Sequence, residues 1–394
     1  MRKFSSPVVS VMAAGVIASL LAACSSAGAS NTAATSSTTA QQTGTAQSSG
    51  ASASATSDAS SAGAAASGAA TDLSGVTLTL GQQGSSLQAE VEASGVLNGA
   101  PYKVNWATFS GPTGVIGAFD AKGIDLGLLG DTSLILKQAN SATPWTAATV
   151  PYKNVAVFGS IVASQYPVFV TLASKSSGVT SASQLRGKRW AYVPGGNTNL
   201  TYLLSLKAAG LTPADIKPVI LQDFTSLGTA LANNQIDAAS LPRANALGAL
   251  AAGATVIYTG AQVGVPGVNT WAAPVAVLAD PRKAAAIGDL LTRFVAFYAW
   301  YSKNPDAVAA ALVKSVKQTP TVAAYNASAG QSRFFPIDDA LFKIEQPVAE
   351  ALAAGGLTKS SVDVTLEYDD RYNALISAAE QKLGIPNTDV VLQK

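Results

Sequence analysis

The apolar and polar residues of the chain repeatedly follow the period of a strand and then that of a helix. Residues 76–80 alternate with the two-residue period of a strand, and residues 87–96 have helical character, with Glu90 and Glu92 near the polar side. Residues 102–109 predict a second strand with a helix after it, and a third, short strand follows. This order of strand, loop and helix predicts an α/β unit.

The same order returns in the middle of the chain. A strand at 190–193 leads into a helix, and two more strands begin at Val219 and Ile236. Residues 118–125 and 230–237 end their units alike, because in both a helix breaks at polar or glycine residues and Ile-Asp opens the next strand. We therefore predict two α/β lobes of similar plan, each a mostly parallel sheet flanked by helices.

After the second lobe, the pattern predicts that the chain returns to the first. Residues 272–278 are apolar and strand-like, and Asp280 followed by Pro281 is typical of a helix start, here for a long helix at 282–301. Further helices are predicted at 305–316, 338–354 and 369–383.

The first residues have the pattern of an export signal. Arg2 and Lys3 are positive, residues 7–23 are apolar, and small residues precede Cys24. The Leu-Ala-Ala-Cys sequence that ends at Cys24 resembles the bacterial lipobox, which implies cleavage before this cysteine and its lipidation. Residues 25–71 consist almost wholly of Ala, Ser, Thr, Gly and Gln and cannot bury a core, so we predict a disordered linker there.

These patterns divide the chain into a signal, a linker and two lobes. Because the chain visits lobe 1, then lobe 2, and then lobe 1 again, it crosses between them twice, and two crossings make a hinge. The predicted parts are the signal peptide (1–23), the lipidated Cys24 with its linker (24–71), lobe 1 (72–167 with 268–394) and lobe 2 (168–267).

Composition excludes most enzyme classes. The chain has no His and one Cys, which excludes Ser-His-Asp and Cys-His nucleophile systems, a His-ligated metal and an internal disulfide. Lys and Arg number 25 against 23 Asp and Glu, and their scattered positions leave no basic stripe for a row of phosphates. We therefore predict a protein that is not an enzyme, carries no metal or cofactor and binds no nucleic acid.

The loops that follow the strands are the candidate ligand site. In open α/β sheets, ligands lie beyond the carboxyl ends of the strands, where helix N-termini offer unpaired N–H groups. These loops are rich in Gly, Ser, Thr and Asn, which suits a small oxyanion, although such residues are also ordinary helix caps. The candidate residues are Gln83, Ser85, Ser86, Ser110, Gly111, Thr113, Gly130, Asp131, Thr132, Gly195, Gly196, Asn197, Thr198 and Asp223.

Two further features bear on the site. Residues 194–198 lack the Gly-Lys-Ser/Thr of a P-loop and the spacing of a dinucleotide fingerprint, so they predict no nucleotide site. Trp271 is the tryptophan expected to face the cleft, because it precedes the returning strand. The alternative for this residue is core packing.

Short motifs follow one another in a specific order along residues 76–375. They lie at 102–112, 118–131, 185–196, 203–216 and 234–238, and the most specific is Ile-Asp-Leu-Gly leading to Gly-Asp in the second of them. In this order they resemble the substrate-binding lipoproteins of ABC importers, in the aliphatic sulfonate, taurine and nitrate group. The resemblance implies a two-lobed type II periplasmic-binding-protein fold that closes around one small anionic solute and delivers it to a membrane permease. We also expect a monomer.

One departure from that group follows the second Ile-Asp strand. Relatives often carry Trp-Asp-Pro-Tyr there, whereas residues 240–245 read Ser-Leu-Pro-Arg-Ala-Asn, so Arg243 occupies the usual position of the Asp. A cation at the cleft would suit an acidic ligand. The alternative is that Arg243 forms a surface salt bridge.

The sequence thus predicts an extracytoplasmic protein, anchored to the bacterial membrane by lipidated Cys24, that captures an alkanesulfonate or taurine for an ABC importer. The alternatives are a ligand-sensing lipoprotein of the same fold and a binder of nitrate or of a thiamine-precursor-like molecule. A pyrimidine-synthesising enzyme of this fold is disfavoured, because such chemistry depends on His and iron and the chain has no His.

Overall fold

The computed structural model describes residues 71–386. The predicted signal peptide, Cys24 and the linker up to residue 70 lie outside the described residues, as do residues 387–394. In the part of the chain that is described, none of the helices combines the length and the apolar composition needed to cross a membrane.

Strands and helices alternate through most of the described chain. The strands are β1 (Thr77–Gln83), β2 (Lys103–Phe109), β3 (Leu126–Gly130), β4 (Tyr152–Ser160), β5 (Phe169–Ala173), β6 (Arg189–Tyr192), β7 (Lys217–Ile220), β8 (Ala238–Pro242), β9 (Thr255–Thr259), β10 (Val268–Pro274) and β11 (Ser332–Phe335). The helices are α1 (Ser86–Ser94), α2 (Pro112–Asp120), α3 (Thr132–Ala139), α4 (Asn197–Ala208), α5 (Phe224–Ala232), α6 (Arg243–Ala251), α7 (Gly260–Val263), α8 (Val275–Leu278), α9 (Pro281–Lys303), α10 (Pro305–Ala311), α11 (Pro320–Ala329), α12 (Asp339–Ala354) and α13 (Asn373–Lys382). A π-helix (Leu312–Val316) follows α10, and short 3₁₀ turns lie at Lys175–Ser177, Ala182–Leu185, Pro213–Asp215 and Val364–Glu367.

The strands form two sheets. The first has six strands in the order β11-β4-β10-β3-β1-β2, and the second has five in the order β7-β6-β8-β5-β9. The chain passes from the first sheet to the second between β4 and β5 and returns between β9 and β10, so it crosses twice, as the sequence predicts. The lobe boundaries at residues 167 and 267 stay predictions.

The prediction of mostly parallel sheets is wrong in one respect. Each sheet is parallel only at one end, over β3-β1-β2 in the first and β7-β6-β8 in the second, and its other pairings are antiparallel. The physical reason lies in the crossings. A chain that leaves the first sheet along β4 and re-enters it along β10 must run in the opposite direction on its return.

The returning strand also ends earlier than the apolar pattern predicts. The strand expected at 272–278 is β10, which ends at Pro274, and Val275–Leu278 forms the short helix α8. Proline has no N–H to continue the ladder, which accounts for this end. The predicted start of the long helix α9 is confirmed, because the Asp280 carboxylate accepts hydrogen bonds from the backbone N–H groups of Arg282 (2.9 Å) and Lys283 (3.1 Å).

Each sheet buries an apolar layer on both faces. In the first sheet, one layer lies against α9 and includes Trp271 and Phe294, and the other lies against α2 and α3 and includes Phe119 and Leu134. In the second sheet, α5 and α6 cover one face, whereas α4 covers the other, where Trp190 is fully buried.

A further apolar cluster joins the two lobes. It brings Ile135 of α3 together with Leu200 and Leu203 of α4 and with Val348 and Leu352 of α12, and all five are buried. Helix α12 therefore packs against elements of both lobes, and separating the lobes here would expose apolar surface to water.

Candidate functional site

The predicted loops of the two lobes meet at one place, which we call the junction: residues 110–113 and 130–133 of the first lobe with 195–198 and 222–223 of the second. Asn197 lies at its centre and is almost fully buried. The Thr132 hydroxyl donates to Asn197 Oδ1 (3.0 Å), and Asn197 Nδ2 donates to the Val268 carbonyl (3.0 Å). Hydrogen bonds from one short side chain thus connect both lobes.

Glycines allow the junction to pack this tightly. A Cβ at Gly130 would overlap the amide oxygen of Asn197, and a Cβ at Gly195, whose φ is +87°, would lie 2.9 Å from Thr113 Cγ2. Gly196 lies close to Pro112, and Gly111 lies close to the Gln222 carbonyl. In both contacts the neighbour belongs to the opposite lobe. The structure brings these loops of the two lobes into direct contact, and the ligand site that the sequence predicts there stays a prediction.

Several candidates cap helices or support loops. Thr198 donates from its hydroxyl to the Val193 carbonyl (2.7 Å). Asp223 caps α5 by accepting a hydrogen bond from the Ser226 N–H (2.7 Å), and its hydrogen bonds with Ser226 lower the pKa of its carboxyl group. Asp131 accepts from the Thr132 N–H (2.6 Å), and burial raises its pKa to about 7. These contacts match the helix-cap alternative.

Other candidates remain accessible. Ser85, Ser110 and Thr113 are exposed. Gln83 is partly buried and donates from Nε2 to the Leu128 carbonyl (3.0 Å), and Ser86 accepts at its hydroxyl from Gln318 Nε2 (3.3 Å). The surface beside the junction, at the N-terminus of α1, is therefore polar.

Trp271 does not face the cleft, so this prediction is corrected. Its side chain is fully buried and stacks between Phe158 (6.5 Å between ring centroids) and Phe294 (5.1 Å). The reason is the two-residue period of β10, which directs Trp271 toward the layer against α9. The core-packing alternative holds.

Arg243 begins α6 in the second lobe and faces the first. Its backbone N–H donates to the Val168 carbonyl (2.9 Å), and its guanidinium lies beside Tyr325 of α11. Burial raises the pKa of the Tyr325 hydroxyl, whereas the Arg243 charge lowers it. The Tyr325 ring meets that of Tyr166 edge to face, with centroids 5.6 Å apart. Within residues 71–386, Arg243 forms no ion pair, so the salt-bridge alternative is not observed.

Sequence reasoning missed Glu90. This residue was placed near the polar side of its helix, but it is partly buried, and burial raises the pKa of its carboxyl group to about 8. Burial also raises the pKa of the Tyr298 and Tyr301 hydroxyls of α9, and the nearby Glu90 charge raises both further. The available signal was its spacing, since Glu90 lies four residues after the candidate Ser86 on one helical face.

A group of buried acids lies behind the junction. Asp131, Glu345 of α12 and Glu367 are each fully buried, and within the described chain both carboxylates of the two glutamates lack hydrogen-bond partners. The pKa values of Glu345 and Glu367 both lie well above the usual range. Burial is the main cause, and the nearby negative charge of Asp131 is the second. Burial therefore favours the uncharged, protonated form of these carboxyl groups on the inner side of the junction.

A cavity of about 1040 Å³ lies near the two crossings. Its walls include Ile161, Val295, Phe334, Phe335 and Leu383, and none of the predicted site residues lines it. Because the residues that line it are mainly apolar, this cavity is a different environment from the polar surface beside the junction.

Comparisons with known proteins agree with this architecture. The family model described as NMT1/THI5 like matches residues 124–266. The alkanesulfonate-binding protein SsuA from Xanthomonas axonopodis pv. citri, bound to MOPS, is similar in structure, with a TM-score of 0.65, 19% identity and coverage of 75% of this chain and 99% of that chain. The chain has the periplasmic-binding-protein fold.

Two other proteins of this fold are similar at comparable levels. The periplasmic aliphatic sulphonate binding protein SsuA from Escherichia coli has a TM-score of 0.61 and 22% identity, covering 74% of this chain and 92% of that chain. The periplasmic nitrate-binding protein NrtA from Synechocystis PCC 6803 has a TM-score of 0.60 and 14% identity, covering 79% of this chain and 90% of that chain. No curated protein matches the chain in sequence. The predicted fold class is confirmed.

Proposed function

We propose that this protein is an extracytoplasmic solute-binding protein that captures a small organic anion, an alkanesulfonate or taurine, and delivers it to an ABC importer. The observation that carries the proposal is Arg243, a guanidinium of the second lobe that faces the first lobe and forms no ion pair among the described residues. A guanidinium offers paired donors that match a sulfonate or a carboxylate. The likeness to sulfonate-binding and nitrate-binding proteins supports the same ligand class.

The proposed mechanism is closure without chemistry. An anion held by Arg243 from one lobe, and by the polar residues near Gln83 and Ser86 from the other, would favour the arrangement in which the lobes are close. Binding energy then shifts the protein toward that closed form, because only the closed form offers contacts from both lobes.

The membrane anchor is a second part of the proposal. It rests on the sequence alone, on the Leu-Ala-Ala-Cys segment that ends at Cys24 and on the Ala/Ser/Thr-rich residues after it. A lipidated Cys24 followed by a flexible linker would keep the folded part near a membrane permease while leaving it free to reorient.

Calorimetry with an alkanesulfonate tests the function. We expect Arg243→Ala to weaken binding about ten- to a hundredfold, or about 1.5–3 kcal/mol, because it removes a charge-assisted hydrogen bond to the ligand. The matched control is Arg186→Ala, since Arg186 lies on the same lobe, is exposed and pairs with Asp215. If Arg243→Ala binds within twofold of the unaltered protein, Arg243 is not a ligand contact and the proposal loses its main support.

A further inference from the structure

The proposed function leaves one large feature of the molecule unassigned, the cavity of about 1040 Å³ near the two crossings, which we call the crossing cavity. Its walls come from the first crossing (160–167), the start of the second (259–262), α9, β11 and the end of α13 with the residues that follow it. Neither Arg243 nor a residue of the junction lines it. Binding pockets for small molecules measure about 300–1,000 Å³, so the crossing cavity is large enough to be a ligand site.

The lining of the crossing cavity is mainly apolar. Val295, Phe334 and Phe335 form part of its wall and are almost fully buried. Ile161 and Leu383 also line it, and each is about half exposed, which places them at its opening. Large aliphatic side chains that stay in contact with water favour an apolar partner, because covering them removes apolar surface from water. The body of a ligand for this cavity should therefore be apolar.

Three charged side chains also line the crossing cavity, and none of them forms an ion pair within residues 71–386. They are Lys303 of α9, Arg333 of β11 and Glu380 of α13. The Arg333 guanidinium lies over the Phe335 ring, 5.3 Å from its centroid, and donates from Nη1 to the Pro386 carbonyl (3.3 Å). The described chain supplies no acceptor for its other N–H groups, and Nε is buried without one. The Arg333 guanidinium can therefore still take up an anionic group of a ligand.

The acid of this set, Glu380, does not oppose an anion at mildly acidic pH. Its side chain is buried, which raises the pKa of its carboxyl group to about 7, although the Arg333 charge lowers it. At pH 6 the carboxyl group is therefore mainly neutral. Tyr298 of α9 is the remaining titratable residue in the described lining, and burial holds the pKa of its hydroxyl well above the usual range. At pH 6 this lining thus holds the positive charges of Lys303 and Arg333 and little negative charge.

We infer that the crossing cavity is a second ligand site, which binds an organic acid with an extended apolar body. The acidic group of the ligand accepts hydrogen bonds from Arg333, and the apolar body lies against Phe334 and Phe335 and covers the aliphatic side chains at the opening. The inference goes beyond the proposed function, because Arg243, the anion contact of that proposal, does not line this cavity.

Both parts of such a ligand are needed for tight binding. A short acid without an apolar body would pair with Arg333 but leave Ile161 and Leu383 in contact with water, so it would gain nothing from hydrophobic burial. An apolar molecule with an ammonium group would bring a positive charge toward Arg333 and Lys303, which repel it. The lining therefore predicts a preference that depends both on the apolar body and on the sign of the charge.

Calorimetry at pH 6 with three probes tests the inference. Decanoate has both parts, acetate has only the acidic group, and decylammonium has the apolar body with the opposite charge. We expect decanoate to bind the unaltered full chain at least about tenfold more tightly than either of the other two.

Two variants locate the binding site. Arg333→Ala should weaken decanoate binding at least about tenfold, because it removes charge-assisted hydrogen bonds to the ligand. Ala163→Trp adds a bulky side chain to the lining at the first crossing and should also weaken decanoate binding, without altering Arg333. The matched control is Arg243→Ala, since Arg243 does not line the cavity, and it should leave decanoate binding unchanged. Thermal unfolding shows whether each variant folds, and Ala163→Trp decides the test if Arg333→Ala does not.

The outcomes separate this inference from the proposed function. No decanoate binding to the full chain, or equal binding of decanoate and decylammonium, overturns the inference. Loss of decanoate binding in Arg243→Ala, or its competitive displacement by ethanesulfonate, also overturns it, because decanoate would then occupy the proposed sulfonate site. If decanoate binds only to a chain that ends at Pro386, the residues after Pro386 occupy the cavity and the inference is wrong. Failure of ethanesulfonate to bind, with decanoate binding as expected, overturns the proposed sulfonate function and supports the second site.

Discussion

The junction and the Arg243 patch, by which we mean Arg243, Tyr166 and Tyr325, are two polar regions of opposite character. In the junction, Asn197 and Thr132 are buried and satisfy each other, and glycines let the two lobes pack in direct contact. In the Arg243 patch, Arg243 has no ion-pair partner in the described chain. Asn197 and Thr132 thus direct their hydrogen bonds to the protein itself, although Asp131 Oδ2 and Ser133 Oγ of the junction are buried without partners. The Arg243 guanidinium retains its capacity to pair with an anion.

This difference shows why polar composition alone is a weak guide to a binding site. Ser, Thr, Asn and Asp at strand ends serve equally well as helix caps, and several of them do so here. An unpaired charge in a half-buried position is a stronger sign, because leaving it unpaired costs free energy that a ligand can recover. The Arg243 patch is therefore the better candidate for solute contact, and the junction for holding the lobes together.

The largest effect is expected from Gly130→Ala in the junction. The new Cβ would overlap Asn197 Oδ1 and push the amide away from Thr132 and the Val268 carbonyl. We expect the free energy of unfolding to fall by about 1–3 kcal/mol, because buried polar groups lose their partners. Urea unfolding measures it.

Two companion variants make that measurement specific. Gly117→Ala is the control, since Gly117 lies in helix α2 with nothing within 4 Å of an added Cβ. In the background of Asn197→Ala, the added methyl group at Gly130 no longer meets the amide, so Gly130→Ala should cost much less there. Equal costs in both backgrounds would mean that the contact with Asn197 is not the reason.

Strands that belong to a repeated strand, loop and helix unit could be predicted from the sequence. Strands outside such a unit could not. Strands β1, β3 and β6 were found because a helix follows each. Strands β4 and β5 were missed, since they flank a crossing and their direction depends on where the chain re-enters a sheet. That is a property of the whole topology, which no local period records.

The candidate site shows the same limit. Asn197 and Thr132 could be identified because they sit at helix starts, which have a sequence signature. Glu90 could not, because its environment is created by Tyr298 and Tyr301, some 200 residues further along the chain. The prediction that Trp271 faces the cleft was wrong for a related reason. Only the position of α9 decides which face of β10 belongs to the core.

An intermediate effect is expected from the acids behind the junction. Burial raises the pKa of Glu345 above its ordinary value, so the folded protein keeps a proton that the unfolded chain loses above about pH 4.5. Stability from this group is fully present below the unfolded pKa and falls as pH rises toward the folded pKa, by at most about 1.4 kcal/mol per pH unit. Glu345→Gln cannot ionise and should flatten the decline between pH 5 and 8.

Urea unfolding at several pH values measures this slope. Glu350→Gln is the control, because Glu350 lies on the same helix and is exposed. Glu350→Gln should leave the slope of the unfolding free energy against pH unchanged. If Glu345→Gln also leaves it unchanged, Glu345 does not hold the proton.

The smallest effect is expected from Tyr325→Phe in the Arg243 patch, and it separates the two regions most directly. The Tyr325 hydroxyl is buried beside Arg243 but makes no hydrogen bond of good geometry in the described chain, so removing it should change the free energy of unfolding by less than about 0.5 kcal/mol. The ring and its contact with Tyr166 remain. If the Arg243 patch binds the solute, the Tyr325 hydroxyl helps to orient the guanidinium or contacts the acidic group itself, and its loss should weaken sulfonate binding about three- to tenfold, as expected for one hydrogen bond. The matched control is Tyr258→Phe, a tyrosine of β9 in the second lobe that lies outside both regions. Loss of stability with unchanged affinity would assign Tyr325 to lobe packing, like the junction residues, whereas loss of affinity with unchanged stability would place it among the ligand contacts.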